Sequence, residues 1–403
     1  MSPEHGPAGT PEDHPTKPER FAGTPEDHPT KPERFAGTPE DHPTKPDGFA
    51  GTPENHPTKP EGFAGTPEDA AAYLAEIAYL LRHQGDAHRA RAFTRVASML
   101  VRDRPDLQRL RQANALESLE GVGSGIARTL AELVDTGRSS YLERLRGELN
   151  QADHAESAPF QISPLVQMGY RGDLHAHTDW SDGGASVVDM ARAAQARGYE
   201  YLAITDHSPR LGVVNGLGPE RLAAQRRLID QANSELQGIT LLQGIEVDIN
   251  ENGSLDLPDE TLAELDIVIA SPHVKLRMEA AAMTERMLRA VDHPHVDMIG
   301  HPTGRRPGSR AGAQYDFEAV FTAAARRDVV LEIDCDPARM DLSPELTRLA
   351  ASAGCRFSLD SDAHAPDQLL YVDLGIWIAR RAGLGQDRIV NWLQLAELKQ
   401  LLN

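Results

Sequence analysis

The sequence predicts an α/β protein, with a barrel of about seven parallel strands in its C-terminal half. A small all-helical region and a repetitive tail precede the barrel. Two observations support this. From residue 172 onward, short apolar runs alternate with amphipathic segments, which is the pattern of βα units. No glycine fingerprint of a dinucleotide-binding sheet accompanies them, so a closed barrel is favoured over an open sheet.

Composition limits the class of protein. The formal net charge of −20 argues against a general nucleic-acid coat but leaves a local basic face possible. The two cysteines, Cys335 and Cys355, provide neither a disulfide framework nor a cysteine-based zinc site. There is no long apolar run and no apolar leader at the N-terminus. We therefore expect a soluble, cytoplasmic protein.

Residues 1–66 are predicted to form an extended, disordered tail. Within it, residues 9–64 are four copies of a 14-residue unit, GTPEDHPTKPERFA and close variants. Each copy has three prolines and one Phe, so it cannot bury a core or continue as a helix or central strand. Each copy also has one His, which leaves a metal-buffering tail open beside the solvated linker that the composition favours.

Residues 67–150 are predicted to be all-helical. Thr66 can cap the first helix, with Pro67 in its first turn. Gly85 ends that helix, and Asp86 can cap the next one. The apolar residues between these signals recur with the helical period.

A glycine-rich turn follows in LEGVGSGIARTLAEL, between two apolar helical stretches. Glycines there permit a tight turn and expose backbone N–H groups at the start of a helix, which suits a phosphate. Residues 69–150 contain twelve Arg, no Lys and eleven acidic residues, so the region is slightly basic. A plain helical hairpin with a solvated face is the alternative. The candidate phosphate contacts are Gly121, Gly123, Ser124, Gly125, Arg128, Arg91 and Arg95.

This turn resembles the helix-hairpin-helix motif of DNA repair proteins, and the whole region resembles the N-terminal eight-kilodalton-type domain of family X DNA polymerases. The resemblance implies DNA binding. Some members carry a Schiff-base lysine where this chain has Thr129, and an Arg cannot replace that amine, so we expect no lyase activity. The linker, residues 151–170, has no room for a polymerase palm, so we expect no templated synthesis.

In the C-terminal half, GDLHAHTDWSDG carries two histidines two positions apart, which a strand directs to one face. The runs that predict the later strands are 201–205, 241–249, 265–270, 296–300, 329–334 and 355–360. The segments that predict the helices between them are 185–198, 219–236, 279–291, 317–327 and 344–353.

Histidines and carboxylates collect at the ends of these strands. In parallel α/β folds, sites are built at the C-terminal strand ends. A single strand-end His is more often structural, but nine such donors together indicate a metal centre with room for three ions if one carboxylate bridges. The nine are His175, His177, Asp182, His207, Glu246, His273, His301, Asp362 and His364.

The motifs HAHTDWSDG, ITDHS, GIEVDI, SPH, GHPTGR and SDAH resemble, in order, those of the PHP (polymerase and histidinol phosphatase) family. The resemblance covers residues 171–403 and is closest to the C-terminal PHP domain of bacterial family X polymerases. It implies a distorted (β/α)₇ barrel with a trinuclear site. It assigns His175, His177, Glu246 and Asp362 to one ion, Glu246 with His273 and His301 to a second, and Asp182, His207 and His364 to a third.

The resemblance, with these donors, implies three divalent ions, Mn²⁺ or Zn²⁺ with Fe²⁺ possible, that activate water against a phosphate ester. Cations near the strand ends could orient the phosphate: Lys275, Arg305 and Arg339, with Arg306 a weaker choice. His175, His177, Glu246 and Asp362 complete the catalytic set. We expect a 3′-5′ exonuclease or 3′-end-processing activity in DNA repair, at DNA 3′ ends and gaps and in association with the nucleoid. The alternatives are a small-molecule phosphatase of the histidinol-phosphatase type and a non-catalytic scaffold that binds DNA ends.

Overall fold

The computed structural model describes residues 66–152, 168–307 and 309–402. The predicted repeat tail and most of the predicted linker lie outside the described residues. What is described comprises a helical region and a seven-stranded barrel.

Helices α1 (Pro67–His83) and α2 (Ala87–Asp103) form an antiparallel pair, and each begins at a predicted cap. At the start of α1, the Thr66 hydroxyl accepts from the Asp69 N–H at 3.1 Å, and the Asp69 carboxylate accepts from the Thr66 N–H at 3.3 Å. Asp86 caps α2 through the Arg89 N–H at 3.0 Å. Both predicted caps are confirmed. The helices of this region are α1 (Pro67–His83), α2 (Ala87–Asp103), α3 (Leu107–Gln112), α4 (Ser124–Thr136) and α5 (Ser140–Ala152).

The glycine-rich turn joins α3 to α4. Gly121 adopts a φ of +76°, a conformation that side chains disfavour. Gly123 is the N-cap of α4 and makes no side-chain capping bond. Val122 and Ile126 are buried on either side of this turn, so apolar packing holds the backbone N–H groups of the first turn in place.

Seven parallel strands follow one another in chain order around the barrel. The circuit is nearly closed, because Ala176 pairs with Ala363 beyond the ends of the first and last strands, and the His177 N–H donates to the Ala363 carbonyl at 2.8 Å. The strands are β1 (Gly172–Asp173), β2 (Tyr201–Ile204), β3 (Thr240–Asp248), β4 (Ile267–Ser271), β5 (Met298–Ile299), β6 (Val330–Asp334) and β7 (Phe357–Asp360).

The first strand is shorter than the sequence suggested. It ends at Asp173, and both histidines lie in the extended segment beyond it. The ladder stops because the Leu174 N–H donates to the Asp360 carboxylate at 2.9 Å instead of to a strand carbonyl. Side-chain acceptors thus replace the regular pairing where the site begins.

The five predicted helices surround the sheet. Each begins and ends within two residues of the predicted position. The described residues contain three further α-helices that the sequence did not predict: α8 (Asp259–Leu262), α12 (Val372–Ala382) and α13 (Leu395–Leu401). Within the described residues, no helix is long and apolar enough to span a membrane. The helices are α6 (Val187–Ala196), α7 (Pro219–Glu235), α8 (Asp259–Leu262), α9 (Ala280–Val291), α10 (Phe317–Arg326), α11 (Pro344–Ala353), α12 (Val372–Ala382) and α13 (Leu395–Leu401).

One end of the barrel is closed by its own chain. Val390 and Leu398, from the C-terminal segment, pack on the barrel interior with Leu174 and Tyr201. The Asn391 side chain donates to the Gly172 carbonyl at 2.9 Å and secures this segment to β1. The opposite end, where the strands terminate, is left for the polar residues.

The helical region contacts the barrel near that polar end. Helix α2 packs against a short 3₁₀ helix, Pro366–Tyr371, which follows β7. Burial raises the pKa of Tyr371, as do Asp336 and Asp367, and the charge of Arg82, at the end of α1, acts in the opposite direction.

Candidate metal centre

All nine predicted donors lie together at the C-terminal end of the barrel. Most are buried, and His175, His177, Glu246 and His301 are fully so. Asp182 and His364 are partly exposed, which places the opening of the centre on their side. The structure therefore brings together every donor that the sequence indicated, while the assignment of each to an ion stays a prediction.

The first group joins the two ends of the barrel circuit. The His177 Nε2 atom lies 3.2 Å from His175 Nε2 and 3.0 Å from Asp362 Oδ1. Two ring nitrogens and a carboxylate oxygen thus converge from the segments after β1 and β7. These three residues can hold one ion between them.

Glu246 is at the middle of the second group. Its Oε1 atom lies 2.7 Å from His301 Nε2 and 3.1 Å from His273 Nε2, and its Oε2 atom lies 2.8 Å from His207 Nδ1. A carboxylate surrounded by three rings, each from the segment after a different strand, would suit a place between two ions. The geometric group His207, Glu246 and His273 differs from the expected one, because it includes His207 and not His301.

Asp182 completes the third group at the exposed side. Its oxygens lie 3.6 Å from His207 Nε2 and 3.5 Å from His364 Nε2. His177 also belongs to this group through its Nδ1 atom, 3.9 Å from Asp182 Oδ1. The sequence reading placed His177 only with the first ion.

Buried carboxylates fix the rings from behind. Glu332 Oε1 lies 2.6 Å from His175 Nδ1, and its other oxygen accepts from the His301 backbone N–H. Asp248 Oδ1 lies 3.1 Å from His273 Nδ1. Each contact leaves the Nε2 atom of the ring directed into the centre. The sequence reading missed Glu332 and Asp248. A signal existed, because Asp248 is two residues after Glu246 on β3 and so shares its face.

The electrostatics divide the histidines. Burial, assisted by His364 and His207, lowers the pKa of His177 to about 3. Burial and Arg339 likewise lower the pKa of His301 to about 3. These two rings are neutral at physiological pH and offer a lone pair to a metal.

The other rings show how much negative charge the centre holds. Burial also lowers the pKa of His207, but Glu246 and Asp182 outweigh it and raise the value to about 10. For His364, Asp182 and Asp362 outweigh burial and raise the pKa to about 9. Without a cation, the carboxylates draw protons onto these rings. A divalent ion supplies that positive charge directly.

Unpartnered atoms test whether metals fit here. Several buried nitrogen and oxygen atoms of the centre make no hydrogen bond with good geometry. This is so although nitrogen or oxygen atoms of the other metal-donor residues lie close to them. Orphaned buried polar atoms are costly, and multiple divalent cations would satisfy them. Imidazole nitrogens with carboxylate oxygens suit Zn²⁺, Mn²⁺ or Fe²⁺. The unpartnered atoms include His177 Nδ1, His207 Nδ1, Glu246 Oε2, His273 Nε2 and Asp362 Oδ1.

The centre opens into a cavity of about 340 Å³. Arg339 borders it, with its Nε atom 2.9 Å from Asp362 Oδ2 and 3.2 Å from Asp334 Oδ2. Arg306, which the sequence ranked lower, also lines it. The other wall residues beyond the donors are Leu211, Val214, Asp336, Gln368 and Tyr371.

Two predicted cations do not line this cavity. The Arg305 guanidinium donates to the Met340 carbonyl and lies in a neighbouring groove with Arg310. Lys275 is exposed on the loop after β4. Their positions follow from loop packing, which proximity to a strand end does not determine.

A second cavity, of about 1000 Å³, lies in the helical region. Five of the seven predicted phosphate contacts line it: Gly121, Gly123, Ser124, Gly125 and Arg128. Arg91 and Arg95 do not, although the Arg95 side chain lies beside Gly121. Arg89 and Arg144 line it instead, because α5 packs across this face and brings Tyr141 within 3.2 Å of the Arg89 guanidinium.

Family models match both parts of the chain. The model of the PHP domain matches residues 173–334. The barrel is a PHP domain. A model of a helix-hairpin-helix domain matches residues 66–139, so the helical region is a helix-hairpin-helix domain.

Similar proteins fall into two groups. The DNA polymerase/3′-5′ exonuclease PolX of Bacillus subtilis is 39% identical over 239 residues, which is 59% of this chain and 42% of that protein. A probable phosphatase of Thermoanaerobacter sp. (strain X514) is 27% identical over 241 residues, 57% of this chain and 93% of that protein. This chain therefore spans less than half of the polymerase relative. With these relatives, the PHP barrel is a metal-dependent phosphoesterase domain.

One solved structure also aligns with the chain. It is the histidinol phosphate phosphatase of Lactococcus lactis, in complex with zinc, L-histidinol and phosphate. The TM-score is 0.41 at 17% identity, over 53% of this chain and 94% of that one. A score at this level supports no conclusion about substrate.

Proposed function

We propose that this chain is a metal-dependent nuclease that trims DNA from 3′ ends, with the PHP barrel cutting and the helix-hairpin-helix domain holding the strand. The observation that carries the proposal is that one chain has both features: nine metal donors in the barrel, and a cavity in the helical domain where the N-terminus of α4 could accept a phosphate. Such a nuclease would serve DNA repair in the cytoplasm, at the nucleoid. Templated synthesis and lyase chemistry are not part of the proposal.

The nine donors would hold three divalent ions, Mn²⁺ or Zn²⁺ with Fe²⁺ as a third choice. Bound ions activate water and neutralise charge on the phosphoryl group. The protein's own residues orient the metal donors and enclose the phosphate. Glu332 and Asp248 fix the rings of His175 and His273 through their Nδ1 atoms. Arg339 keeps its Nε atom against Asp362 and adds positive charge where a phosphate would approach.

The turn before α4 supports the holding role. Gly123 and Gly125 have ordinary backbone angles, and a Cβ built on either would meet no atom within 4 Å. The fold therefore does not require glycine at these two positions. Because glycine has no side chain, a phosphate can closely approach the N–H groups at the N-terminus of α4. Arg89, Arg128 and Arg144 line the same cavity with one acidic residue, Glu132, so its wall has an excess of positive charge.

The contact between the domains supports a shared substrate. The 3₁₀ helix Pro366–Tyr371 contributes Gln368 and Tyr371 to the wall of the metal cavity, and α2 packs on the same helix. The helix that borders the metal cavity is thus also in contact with the helical domain, as one substrate bound by both domains would require. Phosphate contacts carry no sequence information, so we expect trimming without sequence preference.

A cleavage time course tests the proposal. With Mn²⁺ and 5′-labelled duplex recessed or gapped at its 3′ end, we expect a ladder that shortens from that end. His175→Ala removes a donor, and we expect the rate to fall by about 10³-fold or more, since metal ions supply several kcal/mol to such reactions. His293→Ala is the matched control, because His293 lies outside the centre and contacts Asp259.

A second function has its own support. The probable phosphatase relative matches over nearly its full length, and the metal cavity is small. Intact DNA, with p-nitrophenyl phosphate still hydrolysed in a His175-dependent way, would favour a small-molecule phosphatase and contradict the nuclease. DNA binding without hydrolysis of either substrate would favour the scaffold.

A further inference from the structure

A hairpin rich in arginine follows β5, immediately after the donor His301. We call residues 304–307 and 309–312 the arginine hairpin. Arg306 and Arg310 pair across it, with each N–H donating to the carbonyl of the other, at 2.9 and 2.8 Å. Residues directly opposed in an antiparallel pair project their side chains to the same side. The two side chains therefore leave the hairpin on the same side, and they border neighbouring cavities.

The hairpin is fixed at its base. Both the hydroxyl and the N–H of Thr303 donate to the Asp341 carboxylate, each at 2.9 Å. The Ala313 N–H donates back to the Thr303 carbonyl at 2.8 Å, and Arg305 is bonded to Met340. A fixed base means that little conformational entropy is lost when an anion binds.

Among the residues that the structure describes, no carboxylate forms an ion pair with Arg306 or Arg310. The one side-chain bond of Arg310 in that set runs from Nε to the Gly304 carbonyl, at 2.8 Å. Burial lowers the pKa of Arg310, and the charges of Arg306 and Arg339 lower it further, although Asp341 acts in the opposite direction. In a chain with a net charge of −20, this is a local excess of positive charge.

The position of the hairpin connects two cavities. Arg306 lines the opening of the metal centre together with Arg339. Arg310 lines a groove of about 430 Å³ with Ser309 and Gly312. A strand whose scissile phosphate reaches the donors carries its next phosphate one nucleotide away. Paired guanidinium groups match the oxygens of a phosphate.

We propose that the arginine hairpin binds the phosphate next to the scissile one, so that the substrate is a DNA strand with at least two phosphates. This assignment rests on the proposed function. It identifies what would separate this barrel from a phosphatase for isolated phosphomonoesters. The helical domain holds the distant backbone, whereas the hairpin positions the nucleotide beside the cut.

An inhibition assay tests the hairpin on the full chain with Mn²⁺. Hydrolysis of p-nitrophenyl phosphate is measured against two inhibitors, thymidine 5′-phosphate and the dinucleotide pTpT. We expect wild type to bind pTpT about tenfold more tightly, with a preference that weakens as salt rises. In R306Q/R310Q the preference should fall to about onefold. R306K/R310K, which keeps the charge but loses the planar fork, should retain an intermediate preference.

The matched control is R192Q/R326Q, which removes two exposed arginines from the outer helices α6 and α10 and should keep the wild-type preference. If R306Q/R310Q does not fold, R306Q alone tests the same ratio. A wild type without preference, or a double variant that keeps it, would overturn the assignment. Equal weakening of both inhibitors would place the hairpin on the scissile phosphate and also overturn it.

The assay separates this assignment from the proposed function. It needs hydrolysis of the chromogenic ester and no DNA cleavage. Cleaved DNA without a pTpT preference refutes the hairpin alone. Uncut DNA with a hairpin-dependent preference refutes 3′-end trimming and leaves the hairpin as a site for a second phosphate.

Discussion

The two domains handle buried charge in opposite ways. In the PHP barrel, nine donors crowd one end, and several of their atoms lack a partner with good geometry. In the helical domain, Glu76 is buried and both of its oxygens are bonded to the Arg146 guanidinium, at 2.5 and 2.6 Å. The first arrangement is incomplete without a cation, whereas the second is closed within the protein.

The cavities differ in the same sense. The metal cavity is small, and most of its wall residues are charged or metal-donor side chains. The helical cavity is about three times larger and is lined by glycines, apolar and hydroxyl side chains, three arginines and one glutamate. A site for chemistry requires donors fixed to fractions of an ångström, but a site for holding a backbone requires only open N–H groups and net charge. Incomplete buried charge is therefore the better indicator of the reacting centre.

The sharpest test of this contrast is Arg146→Met. It leaves Glu76 buried without a partner, and we expect the free energy of unfolding of the helical domain to fall by about 3 kcal/mol. Burial already raises the pKa of Glu76 to about 7 in spite of Arg146. The loss should be greater at pH 8 than at pH 5, because a raised carboxyl pKa favours the fold at low pH and the benefit disappears as pH rises through it.

Urea unfolding with hydrogen exchange in α1 and α5 measures this loss. Arg138→Met is the matched control, because its pair with Glu143 is exposed and should contribute at most about 1 kcal/mol. Equal effects of the two variants would mean that the Glu76 pair is not a closed structural charge.

Glu332→Gln tests the metal centre of the barrel, where the buried charge is incomplete without a cation. The amide can still accept from His175 Nδ1, but its NH₂ group cannot accept from the His301 N–H. We expect metal affinity and turnover to fall by about 10- to 100-fold with little loss of stability, since Glu332 positions ligands without contacting substrate. Metal titration by calorimetry separates this from a folding defect.

Glu345→Gln, on the outer helix α11, is the control for Glu332→Gln. Excess Mn²⁺ should restore part of the turnover of Glu332→Gln if the residue acts through the metal. A uniform loss of stability without a change in metal affinity would contradict a positioning role.

The same contrast explains what could be predicted from the sequence. The donors were accessible because strand periodicity directs His175 and His177 together, and because parallel strands end at one edge of the barrel. Glu332 could not be predicted in this way, because its role depends on a contact with His175, which is 157 residues away in the sequence. Arg91 was chosen over Arg89 for the same reason, since only the packing of α5 determines which face of α2 borders the cavity.

The smallest expected effect concerns the helical domain, which is proposed to hold the DNA. G123A/G125A adds two methyl groups where the fold has space, and Ala at the second position favours the helix. We expect unchanged or slightly higher stability, but DNA affinity lower by about tenfold, or about 1.4 kcal/mol, because the methyl groups obstruct a phosphate at the N-terminus of α4. Fluorescence anisotropy with labelled gapped DNA and catalytically inactive His175→Ala as background measures it.

Gly147→Ala is the matched control for the glycine pair. Gly147 lies in α5 and also has nothing within 4 Å of a built Cβ, so the variant should gain helix stability and keep its DNA affinity. If both variants leave affinity unchanged, the α4 N-terminus does not contact DNA, and holding must come from the arginines alone. If only G123A/G125A loses affinity while its melting temperature is maintained, the bare glycines serve binding rather than folding. The helical domain would then hold its ligand through the backbone, whereas the barrel uses side chains.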